Sequence, residues 1–300
     1  MNKIIRFITA PFRGIWWLIS LPFRSLKKLR SFLNEEPEEH PIADTLAGVV
    51  QDKAVREALF QEIEAFRTHL LRSIAVLAVL VIISFFFTPA LLEFLASPLE
   101  GGIDSLKAIE VTESVGVFMR VAVLSGITIS LPYIAFEFWL FFAPGLRPRS
   151  KKFGLVGIPL SALLFTSGMA FAFFVMMPAA LPFLLNFMGI QAELRPHSYY
   201  NFITGVMFWI GVSFEFPLVI YVLTAMGFIK PKVLSEQWRL AIVLIAILAA
   251  AITPTIDPVN MALVMAPMIL LYFISIGLSK IAYRDREKQT RNDLYMREEI

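Results

Sequence analysis

Long apolar segments recur along the chain and constrain its fold more than any other feature. Six of them are visible, at residues 73–92, 117–142, 155–177, 205–227, 240–252 and 261–277. A transmembrane helix needs about 20 consecutive apolar residues, and the first four segments reach that length. A composition of 57% hydrophobic and 17% charged residues points the same way. The sequence therefore predicts an all-α membrane protein with six transmembrane helices.

The fifth and sixth segments are short. At about 1.5 Å per residue, residues 240–252 cover roughly 20 Å of a hydrocarbon layer that is about 30 Å thick. Only residues 253–260 separate the two segments. We expect a hairpin of two short spans, which either fail to cross fully or lie in a thinned bilayer.

The residue types that carry most enzyme chemistry are scarce in this sequence. There is no cysteine, which excludes disulfides, thiolate metal sites and cysteine nucleophiles. The three histidines, His40, His69 and His197, are too scattered to suggest a metal site. No nucleotide-binding, serine-hydrolase or zinc-protease motif is present. We therefore expect no enzyme, no cofactor and no metal.

Basic residues concentrate in alternate loops and in the tail, which predicts the orientation. One side of the predicted membrane carries these cations: Arg147, Arg149, Lys151, Lys152, Lys230, Lys232, Arg239, Lys280, Arg284, Arg286, Lys288, Arg291 and Arg297. The other side carries Lys107 and Arg195 among acids: Glu93, Glu100, Asp104, Glu110, Glu113, Glu193 and Asp257. The positive-inside rule then places both termini in the cytoplasm. Six spans agree with this, because an even number returns the chain to the side on which it began.

The N-terminal region reads as a membrane-surface extension followed by a linker. Residues 1–33 combine seven Lys and Arg residues with Trp, Phe and Ile, as expected of a helix lying in an anionic membrane surface. A signal peptide is disfavoured because Arg13 interrupts the apolar run, and a disordered tail is the other alternative. Residues 34–50 form an acidic, proline-broken linker, and residues 51–72 an amphipathic helix leading into the first span. Residues 281–300 would be a cytoplasmic tail.

An acidic residue stands near the middle of the fourth apolar segment. Glu215 lies near the middle of residues 205–227, and Pro217 follows it. A carboxylate at the bilayer centre is costly and commonly marks a functional site. Because Pro217 has no N–H, it frees a carbonyl one turn back, near Ser213. We expect that carbonyl, the Ser213 hydroxyl and Glu215 to form a polar notch, although Glu215 could also be a structural group that holds helices together.

Three motifs in order resemble one family. The second segment and its exit read LPYIAFEFWLFFAPGLRPRSKK, the fourth carries SFEFP, and the turn after the fifth carries TPTIDP. Over about residues 60–280 the chain resembles the TatC family, the multi-spanning receptor of twin-arginine protein translocation. The resemblance implies a cupped bundle of six helices in the cytoplasmic membrane of a prokaryote, with residues 73–280 as its domain.

The resemblance also implies a function and partners. Members of the family bind signal peptides with paired arginines on the cytoplasmic face. With single-span partners of the TatA/TatB type, they pass folded proteins across the membrane on the proton-motive force. It implies a homo-oligomeric complex in the lipid bilayer and gives no role to nucleic acid.

The resemblance assigns residues for binding signal peptides or partners. Glu215 is similar to the family's intramembrane glutamate, and Arg120 to a basic position early in the second span. Pro132, Phe141, Pro144, Gly145 and Leu146 match the second span and its exit. The candidate binding residues are Glu64, Arg67, Glu137, Phe141, Pro144, Gly145, Glu215 and Asp257.

Two positions depart from the family pattern. Ala65 stands where the family has a glutamate before the first span, and Ser150 stands where it has one after the second. Those glutamates are the expected partners of the signal peptide's arginines, because charge-assisted Arg–carboxylate pairs are strong. Glu64 could substitute only if its helix rotates.

Several residues also have a purely structural interpretation. Glu137 could extend to the membrane surface or pair with Arg147, and Arg120 could extend to lipid headgroups. As an alternative function, Glu215 could be the titrating group of a proton- or solute-coupled transporter. The two halves of the chain show no repeat of the kind that such transporters use, which disfavours this alternative.

Overall fold

The computed structural model describes residues 53–99, 101–110, 112–145, 148–185, 194–253 and 258–298. The predicted extension at residues 1–33 and linker at 34–50 therefore lie outside the described residues. Within these ranges the regular structure is entirely helical. The α-helices are α1 Lys53–Ser84, α2 Thr88–Ala96, α3 Glu113–Phe142, α4 Pro148–Phe171, α5 Met177–Leu185, α6 Pro196–Met226, α7 Pro231–Glu236, α8 Trp238–Ile252 and α9 Pro258–Glu298.

Five helical stretches in the described part of the chain are long and apolar enough to cross a membrane. They are Glu62–Ser84, Glu113–Phe142, Gly154–Phe183, Pro196–Met226 and Pro258–Lys288. A shorter apolar helix, Trp238–Ile252, lies at the predicted fifth span. At 15 residues it is short, as the sequence predicted.

The prediction of a short sixth span is wrong. The helix does not stop at Gly277, because α9 runs without a break from Pro258 to Glu298. A glycine within a helix costs only about 1 kcal/mol, and the residues that follow are mostly strong helix formers such as Lys, Arg, Glu and Gln. The prediction took the end of the apolar stretch for the end of the helix.

The first span also has other bounds than predicted. Helix α1 ends at Ser84, three consecutive residues then make tight turns, and α2 restarts at Thr88. Pro89 explains the break, since it cannot donate an N–H to the carbonyl of Phe85. The candidate span is therefore 62–84, and not 73–92.

Prolines interrupt the third span without ending it. A turn of π-helix, Ala172–Met176, joins α4 to α5, and the N–H of Met177 donates to the carbonyl of Ala172, five residues back. Pro178 and Pro182 follow and cannot donate backbone hydrogen bonds, which favours such a local shift in pairing.

The described helices divide into two compact units. The first comprises the described parts of Met1–Val79 and Tyr133–Ile158, and the second those of Leu80–Pro132 and Pro159–Ile300. In the first unit, Gly154 lets α4 approach α3, since a Cβ there would overlap the indole of Trp139.

The second unit contains a large apolar core. Helices α6 and α9 pack along their length, with the Thr224 and Ser279 hydroxyls 2.8 Å apart and the rings of Phe216 and Tyr272 stacked. Two tyrosines at the start of α6 donate to carbonyls near the end of α2, Tyr199 to Leu95 at 2.6 Å and Tyr200 to Leu92 at 2.7 Å. Leu95 is among the last four residues of α2, whose carbonyls have no partner within the helix, and the Tyr199 hydroxyl satisfies its carbonyl.

Candidate functional site

The intramembrane acid of the second unit lies where α4 and α6 come into close contact. Gly168 and Gly211 face each other there, and a Cβ on Gly168 would lie only 2.9 Å from the Gly211 Cα. Small residues let helix backbones approach in this way within a membrane. The close approach brings the next turn of α4 against Glu215.

Glu215 meets polar groups of α4. The Ser161 hydroxyl and the backbone of Phe165 lie beside its carboxyl, and its Oε1 is buried and without a hydrogen-bond partner among the described residues. The predicted notch partner, Ser213, instead donates to the carbonyl of Trp209 on its own helix at 2.8 Å. Ser161 therefore joins Glu215 at the polar notch, and it was not among the groups expected there from the sequence. A buried carboxylate oxygen that lacks a donor can accept a hydrogen bond from water or from a partner's polar side chain.

A second acid lies in the first unit. Glu137 is 3% exposed; its Oε2 lies 2.6 Å from His69 Nδ1, and its Oε1 accepts a hydrogen bond from the Tyr133 hydroxyl at 2.7 Å. One structural role suggested for Glu137 is corrected, because its carboxylate is buried and does not extend to the surface. Its contacts within the described residues are His69 and Tyr133. The other suggested partner, Arg147, lies outside the described residues.

Aromatic rings border this acid. Phe66 and Phe141 meet edge to face with centroids 5.3 Å apart, and Phe141 also contacts His69 at 6.3 Å. These residues, with Leu70, Ser73 and Phe138, line a small pocket. We call it the Glu137 pocket.

The other predicted site residues are more dispersed. Glu64 and Arg67 are exposed on α1, as is Ala65. Pro144 is exposed and, with Gly145, lies in a short 3₁₀ turn, Ala143–Gly145, that follows α3 directly. Asp257 lies outside the described residues, and so do Leu146 and the side chain of Ser150.

Sequence reasoning missed His69, Tyr133 and Ser161. Each of these polar side chains belongs to a helix and faces an acid, which is Glu137 for His69 and Tyr133 and Glu215 for Ser161. His69 carried a usable signal, because a histidine next to an apolar segment needs a polar partner. The described residues contain no cluster of His, Asp or Glu suited to a metal.

The predicted outer side carries one cluster of charge. Arg195 donates to Glu113 through Nε at 3.0 Å and through a terminal nitrogen, and reaches Glu110 at 3.4 Å. The hydrogen bonds that Arg195 donates to the Glu113 carboxylate raise the pKa of Arg195. One of the two cations on that side is therefore neutralised by acids.

The fold and these sites define a class: a multi-spanning helical membrane protein with a half-buried acid in the fourth predicted span and a buried acid, Glu137, between two helices. A family model described as "Sec-independent protein translocase protein (TatC)" matches residues 61–267. The chain belongs to the TatC family of Sec-independent protein translocase proteins. It is therefore a translocase subunit and a multi-pass protein of the cytoplasmic membrane.

Individual relatives agree. The TatC of Deinococcus radiodurans is 33% identical over 74% of this chain and 86% of its own length. That of Carboxydothermus hydrogenoformans is 33% identical over 77% of this chain and 95% of its own. A crystal structure of the twin arginine translocase receptor TatC superposes on 74% of this chain and on 99% of the crystallised chain. The TM-score of that match is 0.66, and the two sequences are 31% identical.

Proposed function

We propose that this chain is the receptor subunit of a twin-arginine translocase. It binds the signal peptides of folded proteins at its cytoplasmic face, and with single-span partners of the TatA/TatB type it exports those proteins on the proton-motive force. The Glu137 pocket carries the proposal. It holds a carboxylate beside an aromatic pair, and a guanidinium fork could replace the tyrosine hydroxyl and histidine ring that now bind that carboxylate.

Two native acids would serve the arginine pair in this chain. Glu64 would supply the first carboxylate if α1 rotates, because it precedes Ala65 and consecutive helix residues are about 100° apart. Glu137 supplies the second carboxylate. Arg67, Phe141, Pro144 and Gly145 would shape the surrounding surface.

The experiment is crosslinking of the purified chain to a twin-arginine signal peptide. Glu64→Gln and Glu137→Gln should each weaken crosslinking, whereas Ala65→Glu combined with Ser150→Glu should strengthen it. Glu62→Gln, on the same exposed helix, is the matched control and should change nothing. Crosslinking that is unaffected by all these substitutions would place the binding site elsewhere.

The same proposal includes the topology and the domain division. Six spans would place both termini in the cytoplasm, with residues 1–33 on the membrane surface, 34–50 as linker, 51–72 leading into the bundle and 73–280 forming it. A cupped bundle would assemble as a homo-oligomer with its single-span partners. Asp257, at the outer turn, would take part in partner contact.

Glu215 would act at a later step than signal-peptide recognition. Its partnerless Oε1 supports contact with a polar side chain of a partner's span, or with water, in mid-membrane. Membership of a protein translocase family does not favour the alternative of a solute transporter.

A further inference from the structure

A groove in the second unit takes no part in the sites described so far. It has a volume of about 490 Å³ and is lined by α3, α6 and the end of α8. The residues that matter here are Arg120, Asn201, Gly205, Phe208, Trp209 and Ile127. Volumes of this size are typical of sites that hold small molecules.

The groove changes in polarity along its length. Arg120 and Asn201 lie near the start of their helices, at the eighth residue of α3 and the sixth of α6. Ile127 and Phe208 lie seven residues further along the same helices and make the other end apolar. Arg120 is exposed and forms no ion pair within the described residues.

This arrangement fits an amphipathic anion. An exposed cation on a membrane-spanning helix attracts an anionic headgroup, and the apolar end accepts hydrocarbon. A partner helix fits the groove less well. Helices that pack tightly in a membrane meet through small residues, whereas this groove is lined by the large side chains of Phe208 and Trp209. We propose that the groove is a binding site for one anionic phospholipid, with its phosphate on Arg120 and an acyl chain along Ile127, Phe208 and Trp209.

Gly205 provides a way to close the groove. A Cβ at this position would meet no atom within 4 Å, so Gly205→Leu fills space that the lipid would take. Gly277 on α9 is equally open and lies outside the groove. Gly277→Leu therefore matches the change in helix propensity without touching the site.

Fluorescence quenching by brominated lipids tests the site directly. Trp209 lines the groove and is 44% exposed, and Trp238 lies outside it and is 41% exposed. Two full-length proteins, each with one of these tryptophans and the other four changed to Phe, are reconstituted in phosphatidylcholine bilayers. Brominated phosphatidylglycerol and brominated phosphatidylcholine are then titrated in.

Phosphatidylglycerol should quench Trp209 at a mole fraction about fivefold lower than phosphatidylcholine does. That ratio corresponds to about 1 kcal/mol, the contribution of one basic residue near an anionic surface. Arg120→Gln should remove the preference at Trp209 and leave the response of Trp238 unchanged. Gly205→Leu should reduce quenching of Trp209 by both lipids, and Gly277→Leu should not.

Equal quenching of Trp209 by the two lipids would overturn the proposal and leave an ordinary lipid-facing surface. Protection of Trp209 from both lipids would also overturn it, because a protein segment would then fill the groove. Membrane abundance and helical circular dichroism check that each variant is folded. The Arg120→Gln comparison decides the question even if Gly205→Leu fails to insert.

Discussion

Glu215 and Ser161 form a polar contact between two helices that are otherwise apolar. The carboxyl lies beside α4 on one side, and one of its oxygens is buried without a hydrogen-bond partner in the part of the chain that the structure describes. A buried oxygen of this kind destabilises the folded protein unless a hydrogen-bond donor reaches it. We infer that the site is completed during transport, when a partner's side chain or a water reaches it.

Substitutions at this contact separate function from structure. Glu215→Ala should reduce export of a reporter about tenfold or more at normal membrane abundance, because losing one buried hydrogen-bonding group is worth about 1–3 kcal/mol. Glu215→Gln should be milder if the role is hydrogen bonding, and as severe if the role is proton transfer. Normal export by Glu215→Ala would make the residue structural only.

The serines distinguish the observed notch from the one expected from sequence. Ser161→Ala should impair export in part, because its hydroxyl lies beside the Glu215 carboxyl and can donate to it. Ser213→Ala, two residues from Glu215, should have little effect because its hydroxyl bonds to its own helix. Export and abundance of the two variants, measured side by side, check this; the reverse order would restore the notch that the sequence suggested.

Glu137 is held by two donors in the first unit. His69→Ala leaves its Oε2 without that partner, which should destabilise the protein by about 1–3 kcal/mol and lower its melting temperature in detergent. Thr68→Ala, exposed on the adjacent position of α1, is the control. Glu137→Gln should be milder than His69→Ala, because an amide can pair with both the histidine and the tyrosine. Equal melting temperatures for His69→Ala and Thr68→Ala would show that the pair contributes nothing.

The sequence predicted the position of the acid in the fourth span but not the side chains that surround it. The position of Glu215 in mid-segment could be read directly from the apolar run around it. Its partner could not, because the contact depends on which helices pack together and at what register, and Gly168 and Gly211 decide that. The same reason hid the His69–Glu137 pair, whose members are 68 residues apart.

At the scale of elements, the apolar segments of the sequence indicated where the chain crosses the membrane better than they indicated where each helix begins and ends. Helix α6 begins at Pro196, nine residues before the apolar segment, and α9 continues well past Gly277. Hydrophobicity reports where lipid surrounds the chain, whereas helix ends are set by caps and prolines. Gly227, left-handed with φ of 91°, ends α6 where the sequence predicted.

The N-terminal extension carries a separate prediction. A peptide of residues 1–33 should bind anionic vesicles and lose binding as salt rises, because each Lys or Arg near the surface contributes about 1 kcal/mol. Its binding is measured by sedimentation with vesicles that contain or lack phosphatidylglycerol. Equal binding to neutral vesicles would mean that insertion of Trp and Phe dominates.

At the scale of the whole molecule, charge predicts the orientation. The cation Arg195 is bound by Glu113 and Glu110, which leaves little positive charge on the predicted outer side. The chain has no native cysteine, so single cysteines can be introduced and labelled from one side. Gly101→Cys and His197→Cys should react with an impermeant reagent from outside, and a cysteine at position 290 should not. Labelling of position 290 from outside would reverse the topology.

Family membership establishes that the chain is a translocase subunit, and we propose further that it is the receptor for twin-arginine signal peptides. That claim depends on arginine recognition by acids other than those at the family's usual positions. Lysine is a sensitive probe of such a site, because it keeps the positive charge but cannot make the bidentate contact of a guanidinium.

The most direct measurement is export in bacteria whose own TatC is removed and replaced by this chain together with its single-span partners. One folded reporter carries a twin-arginine signal peptide, and a second differs only in having two lysines. We expect export of the first reporter and loss of that export when the proton-motive force is collapsed. Export of the second reporter should be at least about tenfold lower, a difference of about 1.4 kcal/mol. Equal export of both reporters, or export of neither at normal abundance of the chain, would contradict the claim that this subunit is the twin-arginine receptor.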